Sequence, residues 1–473
     1  MFIKLNLLVI IFFVSLTSVS AQQGFEKYFG NTGVNDNGFG VLQSRDGGYI
    51  ICGSADLDGV LIKTDLNGNV VWQNTYPSCN FESIRETSDL GYILAGTDYN
   101  SPYAGVYKKT DSLGNEQWNV LLNSGAFSHY GLSALQMPDG SFALLENDTY
   151  PFQEYMRIWK IDSSSQSTFW TKEINKVSNC SPGSFISTHD SALVIACGDF
   201  SYPYPHLIFT KISSDSSTTW KKDFGFPTTT NAGFSGNSVI ETRDSTYMIV
   251  GYKISGNPQS DYSLLLMMAD ANGDSLWTKN YYLKNSNDFP SIIQTRDGGF
   301  ALIATVQYPS SGGSFDYRIL LMKTNSDGDS VWSKEFTGLG INQAHQLIEN
   351  SDGGFAIVGT STDQQSNENF IYLIKTDSLG DLITSNKGIP YDEDQFSVFP
   401  NPAGDHFEIE IKNPTISSNL EMQLIDVTGR IVLNKALRNT HSIIPVNNTM
   451  PGLYHLKISD SQQTLFLKKI VLQ

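Results

Sequence analysis

A unit of about 50 residues recurs seven times along this chain, and that repetition constrains the fold before composition is consulted. Its clearest copy is Asp46–Trp72. There an Asp-Gly turn leads into the apolar strand Tyr49–Ser54, a polar loop and a second strand, Val60–Thr64. The tight turn Asp65-Leu66-Asn67-Gly68 then opens a third strand ending in Trp72. Short apolar runs rich in β-branched residues and bounded by Gly, Asn and Asp are strand signals. The opening Asp returns at Asp89, Asp139, Asp190, Asp244, Asp297 and Asp352, and the closing Trp at Trp118, Trp170, Trp220, Trp277 and Trp332. A further apolar stretch precedes each Asp, which makes four strands per unit.

Four short strands repeated at a fixed period are the pattern of propeller blades. The expected fold class is all-β: a seven-bladed β-propeller followed by a small Ig-like β-sandwich. The seventh unit has Thr384 where the others have Trp, and the N-terminus supplies the missing strand. Phe25-Glu26-Lys27-Tyr28-Phe29 matches Trp332-Ser333-Lys334-Glu335-Phe336, so the first mature segment is expected to form the outer strand of the last blade. Closure by both termini leaves no open sheet edge between first and last blades. The expected boundaries are a signal peptide at 1–21, the propeller at 22–384, a linker at 385–395 and the sandwich at 396–473.

The frame Asp-x-x-Gly-x-x-x-Trp has a physical reading. Asp65 bonds the turn backbone, Gly68 takes a positive φ, and Trp72 packs between neighbouring sheets. The frame repeats at Asp111–Trp118 and Asp270–Trp277, Asn325 stands for Asp before Trp332, and Ser replaces Gly in the third and fourth units. Its Gly-to-Trp spacing resembles the docking motif of quinoprotein-type propellers. It differs in register from sialidase Asp-boxes, whose Gly lies three residues before Trp. Closer is the resemblance to the DGGYII…LIKTD…W repeats of secreted and surface-layer prokaryotic proteins, which covers roughly Phe25–Leu382 and implies no common catalytic chemistry.

At the N-terminus, Lys4, the apolar run Leu5–Leu16 and small residues before Gln22 form a secretory signal peptide, cut between Ala21 and Gln22. The run is short of the ~20 residues that a span needs, and no later stretch is apolar enough, so no transmembrane segment is expected after signal removal. The net charge of −17 lies upstream of Phe396, because the residues beyond it carry 7 Lys/Arg against 6 Asp/Glu. That acidity argues against nucleic acid or an anionic membrane as partner. An exported context permits disulfides among Cys52, Cys79, Cys180 and Cys197. Cys180 and Cys197 are expected to bridge across a hairpin turning at His189-Asp190, with Cys52 and Cys79 a second pair or buried thiols.

The C-terminal stretch alternates strands with Gly and Pro turns, as a small sandwich does. It opens on Phe396 and Pro400-Asn401-Pro402, continues through LIDVTGRIVL with Gly429 and MPGLYHLKI with Gly452 and Tyr454, and ends FLKKIVLQ with Lys468 and Lys469. These motifs together resemble the type A sorting domain of the type IX secretion system of Bacteroidetes, over essentially all of Phe396–Gln473. Ser459–Gln463 stands where a Gly-bearing hairpin is often seen. The resemblance implies Sec export, passage through the type IX machinery, and removal of the domain by a sortase-like peptidase. The cargo would be released or joined to surface lipopolysaccharide, so the expected location is extracellular, reached through the periplasm. Asp-Ser tripeptides at Asp111, Asp190, Asp244, Asp274 and Asp377 resemble O-glycosylation sequons of that group.

Chemistry is sparse. His129, His189, His206 and His345 form no metal spacing, and no nucleophile elbow occurs. No cofactor is expected; Asp56, Asp58, Asp327 and Asp329 could give oxygen ligands to Ca²⁺, but turns account for them more simply. The loops between second and third strands are rich in Tyr, Pro, Ser and Asn, and variable loops on a rigid ring are where binding lives. The expected ligand-binding residues are Tyr99, Tyr103, Tyr150, Tyr155, Tyr202, Tyr204, Tyr308 and Tyr317. The reading is a non-enzymatic binding or scaffold protein with a glycan or protein ligand. The rival is a glycan-active hydrolase or lyase drawing on Glu86 and Glu241 near the inner strands.

Overall fold

In the computed structural model the described residues are 24–31, 33–100, 103–122, 128–150, 153–174, 182–199, 205–225, 232–257, 259–282, 290–309, 315–382, 396–412, 420–426, 430–447, 449–459 and 464–473. Up to residue 382 they form seven four-stranded antiparallel sheets. The innermost strands are Asp36–Gln43, Ser83–Glu86, Ser128–Gln136, Phe185–Ser187, Ala232–Glu241, Ser291–Gln294 and Gly340–Glu349. Each sheet packs on the next in sequence, and the last packs on the first through Asp36–Gln43 against Gly340–Glu349 and Phe355–Asp363. The sheets close into a β-propeller.

The burial patterns follow from that ring. Second and third strands lie between two neighbouring blades, so Tyr49–Ala55 and Asp58–Thr64 are buried almost throughout. Outer strands pack on one face only, and Val70–Tyr76 alternates between exposed and half-buried positions. The core therefore sits between blades: Ile50, Cys52 and Leu61 of the first share one cluster with Leu94 and Val106 of the second.

Three side-chain devices repeat around the ring. In the first, the outer-strand Trp of one blade lies under the turn glycine of the next. A side chain on Gly114 would strike the Trp72 ring, one on Gly273 the Trp220 ring, and one on Gly380 the Trp332 ring. These glycines also hold positive φ, 78°, 77° and 76°, so Gly answers two demands at once. Where Ser replaces it, Ser165 and Ser216 hold positive φ of 60° and 72°. In the second device, a third-strand lysine reaches the opening Asp of the same blade: Lys63–Asp46 at 2.7 Å, Lys109–Asp89, Lys160–Asp139 and Lys375–Asp352 at 2.8 Å, Lys211–Asp190 at 2.7 Å and Lys323–Asp297 at 2.9 Å. The fifth blade puts Met268 at that position, and Thr246 donates to its sulfur. In the third, the inner-strand end of one blade accepts a backbone N–H from the turn of the blade before it. Ser88 donates to Gln136, His189 to Glu241, Arg243 to Gln294, Arg296 to Glu349 and Ser351 to Gln43.

Closure runs through the N-terminus, as the repeats predict. Phe25–Phe29 is the outer strand of the sheet containing Gly340–Glu349. Phe25 stands opposite Lys375, just as Trp72 stands opposite Lys63 and Trp332 opposite Lys323. It also occupies the tryptophan's place against the next blade, because a side chain on Gly68 would strike its ring. Thr384 lies outside the described residues.

The C-terminal residues form a three-stranded sheet, Phe396–Phe399, His406–Ile411 and His441–Pro445, and a four-stranded one, Leu420–Asp426, Ile431–Leu437, Gly452–Ser459 and Thr464–Leu472. Phe396, Phe407, Ile409, Met422, Leu456 and Phe466 fill the core that the two sheets share. This is the expected sandwich.

Of the two alternatives for Cys52 and Cys79, the structure has the buried thiols. Cys52 and Cys79 are free, and they do not form the second bridge. Both are buried among Ile50, Leu61 and Phe81, where burial holds the thiols protonated and their sulfurs face the Phe81 and Tyr76 carbonyls. Cys197 is disulfide-bonded; Cys180 lies outside the described residues.

Candidate functional site

The inner strands surround a central cavity of about 420 Å³. Two levels of the inner strands can be aligned from register; Phe39, Glu82, Leu132, Gly183, Pro290 and His345 of the first and Arg85, Ile186, Ile240 and Ile293 of the second line the cavity. At the upper level, four inner strands carry an extra residue at a β-bulge: Phe39, Leu132, Asn237 and His345. The corresponding positions in the other blades are Glu82 and Pro290, each just before its short inner strand, and Gly183 in the 3-10 turn Pro182–Ser184 that leads into Phe185–Ser187. Three residues further along, the positions are Leu42, Arg85, Leu135, Ile186, Ile240, Ile293 and Ile348, each opposite the second residue of its neighbouring strand. Arg85 is the one charged residue on that level.

Enclosure shapes the chemistry of the wall. Burial pushes the Glu82 carboxyl up to about 7, opposed by Asn80, whose Nδ2 lies 3.4 Å from Oε1. Burial takes His345 down to about 4, so its imidazole is neutral; its ring meets the Phe39 ring edge-on at 4.8 Å. Burial also lowers the pKa of Arg85. Gln346 Oε1 accepts the Val41 N–H across the first-to-last blade junction. Glu82, Arg85 and His345 went unremarked as site residues in the sequence. Only the register singles them out, by placing Arg85 on a level where the other six residues are Leu or Ile.

The loop tyrosines divide. Tyr99 and Tyr103 meet edge to face at 6.1 Å, and Tyr103 reaches Tyr130 of the next blade at 6.5 Å. Tyr103 remains 43% exposed. Burial lifts the Tyr99 phenol to about 12. In the sixth blade Tyr308 stands opposite Asp316, whereas Tyr317 stands opposite Gln307. Cross-strand partners share a face and neighbours along a strand do not, so Tyr308 and Tyr317 point to opposite sides of their hairpin. Tyr308 donates to Glu335 and lies 4.7 Å beneath the Arg318 guanidinium. Tyr150 and Tyr155 lie on placed strands, but their side chains are outside the described residues, as are Tyr202 and Tyr204 entirely, and Ala21 and Gln22.

Glu86 is exposed, and Glu241 is occupied holding His189 of the preceding blade through its N–H at 2.7 Å and its Nδ1 at 3.1 Å. The two do not converge on the cavity. Asp58 accepts the Ser78 N–H and Asp329 pairs with Lys279, and among the described residues no three metal-ligating side chains gather. A buried pair absent from the expectations lies in the third blade. His129 and Glu146 meet at 2.8 Å, each about 1% exposed, and Trp159 donates to the same carboxylate.

In the sandwich, Asn401 lies between two prolines and clamps the final strand. Its Nδ2 donates to the Lys469 carbonyl at 2.8 Å and its Oδ1 accepts the Val471 N–H at 2.9 Å. Both Phe399-Pro400 and Asn401-Pro402 are cis. Tyr454 donates to the Met450 carbonyl, closing the turn that carries Gly452. Lys469 is exposed and Lys468 half-buried on the last strand, and Gly429 lies outside the described residues.

Together these parts define the class: a β-propeller carrying a C-terminal sorting sandwich. Residues 397–473 match the family described as secretion system C-terminal sorting domain. The module thus directs the chain to the type IX secretion machinery and to an extracellular or cell-surface location. A search of curated proteins gave no match. Among solved structures, the chain is similar to a protein of unknown function from Dyadobacter fermentans, with 11% identity over 76% of this chain and 98% of that one and a TM-score of 0.43. It is similar to polysaccharide lyase Uly1, with 10% identity over 72% and 90% and a TM-score of 0.44. It is also similar to a Penicillium chrysogenum α-L-arabinanase complexed with arabinobiose, with 11% identity over 62% and 92% and a TM-score of 0.42. The fold rests on the sheets themselves.

Proposed function

We propose that this chain is a non-enzymatic glycan-binding module that a bacterium of the Bacteroidetes type exports to its surface or surroundings. A Sec signal peptide cut between Ala21 and Gln22 starts the route, and a sortase-like peptidase acting in the 385–395 linker ends it. The observation that carries the binding reading is the Tyr99–Tyr103–Tyr130 cluster. It spans two blades on the loop face, leaves an aromatic ring exposed, and sits beside Asp98 and Asn100, which hydrogen-bond one another. Aromatic faces flanked by amide and carboxylate groups stack on sugar rings and bond their hydroxyls. The cavity supports a non-hydrolytic reading, since Glu82 is the only carboxylate of its described lining and a glycosidase pair needs two at ~5–10 Å.

The test is to incubate the purified protein with a glycan array and with insoluble cell-wall polysaccharides while assaying release of reducing sugar. Saturable binding without product is expected, and Tyr103→Ala should weaken it about tenfold. Release of reducing sugar would replace this reading with catalysis, and binding only to proteins would replace the glycan.

A further inference from the structure

We propose that the central cavity is a second binding site, independent of the loop face, and that it takes a small carboxylic acid with an apolar body. Its carboxylate lies on the Arg85 guanidinium, its body lies against Ile186, Ile240 and Ile293, and its far end meets Glu82 and His345.

Arg85 carries the argument. Its six counterparts around the ring are Leu or Ile, so the chain has placed a cation where the fold calls for an aliphatic side chain. Arg85 is half-buried at the cavity wall, and a guanidinium partly withdrawn from water is costly unless paired or hydrogen-bonded. Among the described residues Arg85 has no hydrogen-bond or ion-pair partner. The repeat architecture does not require it either, because the other six blades pack without an equivalent. The unfilled demand is for an anion, and a planar carboxylate matches the guanidinium fork with two parallel hydrogen bonds.

The walls then choose among anions. The lining is mainly aliphatic at the Arg85 level, which suits an organic body better than a bare inorganic ion. At the other level burial raises the Glu82 carboxyl to about 7, so that it is protonated below neutral pH, and keeps His345 neutral. With Glu82 protonated neither repels an anion, and both hydrogen-bond a hydroxyl or carbonyl. Below about pH 7 Arg85 thus makes the cavity cationic inside an acidic chain. Its volume of about 420 Å³ suits a single small molecule.

The test uses the full-length protein and 4-fluorobenzoate followed by ¹⁹F NMR, with hexanoate followed by thermal shift as an aliphatic probe. Saturable binding of at least one acid is expected. Arg85→Met should weaken it about tenfold or more, and neutral 4-fluorobenzamide should bind about tenfold or more worse than the acid. Ile240→Phe, which fills the cavity and leaves Arg85 in place, should weaken it similarly and serves if Arg85→Met fails to fold. Tyr103→Ala should leave it unchanged, which separates this site from the loop face. No saturable binding by either acid, equal binding of the amide, unchanged binding in Ile240→Phe, or equally strong displacement by inorganic sulfate would each overturn the proposal.

Discussion

Glu82 shows how one side chain can oppose the fold that holds it. Its carboxyl titrates at about 7 in the folded ring against an ordinary value of 4.5, because the cavity wall disfavours the charged form. A folded pKa raised above the unfolded one means the stabilising contribution is present below the unfolded value and lost as pH rises through the folded one. The protein should therefore lose stability between about pH 4.5 and pH 7 on account of this group. Glu82→Gln, neutral at every pH, should melt with the native protein at pH 4.5 and above it at pH 8. Equal melts at both pH values would mean that the carboxyl is freely hydrated. The opening turn residues have the contrary sign: the lysine and serine or threonine partners of Asp46 and Asp89 hold both carboxyls at about 2. Their contribution is present above the ordinary carboxylate value and lost as pH falls through about 2.

At the scale of the blade, the lysine-to-turn ion pair is one motif in six settings, and the setting decides its strength. Lys63 is largely buried but Asp46 is 63% exposed, whereas Lys375 and Asp352 are 0% and 9% exposed. Removing one partner of an enclosed pair strands the other charge, and doing so at a solvated pair does not. Lys375→Met should therefore cost about 3–5 kcal/mol, and Lys63→Met about 1 kcal/mol, read by urea unfolding of the full chain. The fifth blade, which already carries Met268, shows that the strand accepts the side chain. Equal losses would mean that burial does not set the value of the pair. Blades were legible in the sequence because they repeat: Gly114 and Trp72 recur at constant spacing, and so their roles could be read. The cavity was not legible for the same reason, since Arg85 and His345 are departures from the repeat. The bulges at Phe39 and Leu132 also break the alternation by which an inward residue is recognised. Tyr308 and Tyr317 lie on opposite faces of their hairpin, which a loop of variable length does not reveal. The lysines were in plain view and recur at one position of the third strand, but their spacing does not show that each turns back to the opening Asp of its own blade.

Across the whole molecule, stability depends on a joint between the two ends of the propeller. The ring is closed by five residues, Phe25–Phe29, that pair with Asn369–Lys375 and set one aromatic ring against the following blade. Phe25 meets Tyr49 of the first blade edge-on at 6.1 Å and covers Gly68, so it joins the seventh and first blades as each tryptophan joins its own pair. A ring differs from an open stack of repeats in that opening any one joint exposes two sheet faces at once. Phe25→Ala should thus cost about 2 kcal/mol, because the side chain is half-buried and not fully enclosed. Phe25→Trp, which restores the residue used at the equivalent joints, should stay within about 1 kcal/mol of the native protein. Native-state hydrogen exchange would locate the effect: in the alanine variant, protection should fall first in Asn369–Lys375 and at the Asp65–Gly68 turn, with Phe142–Tyr150 of the third blade protected up to the global transition. A uniform loss of protection across all blades would show instead that the N-terminal strand is one edge among many, with closure carried by the inner strands around the cavity.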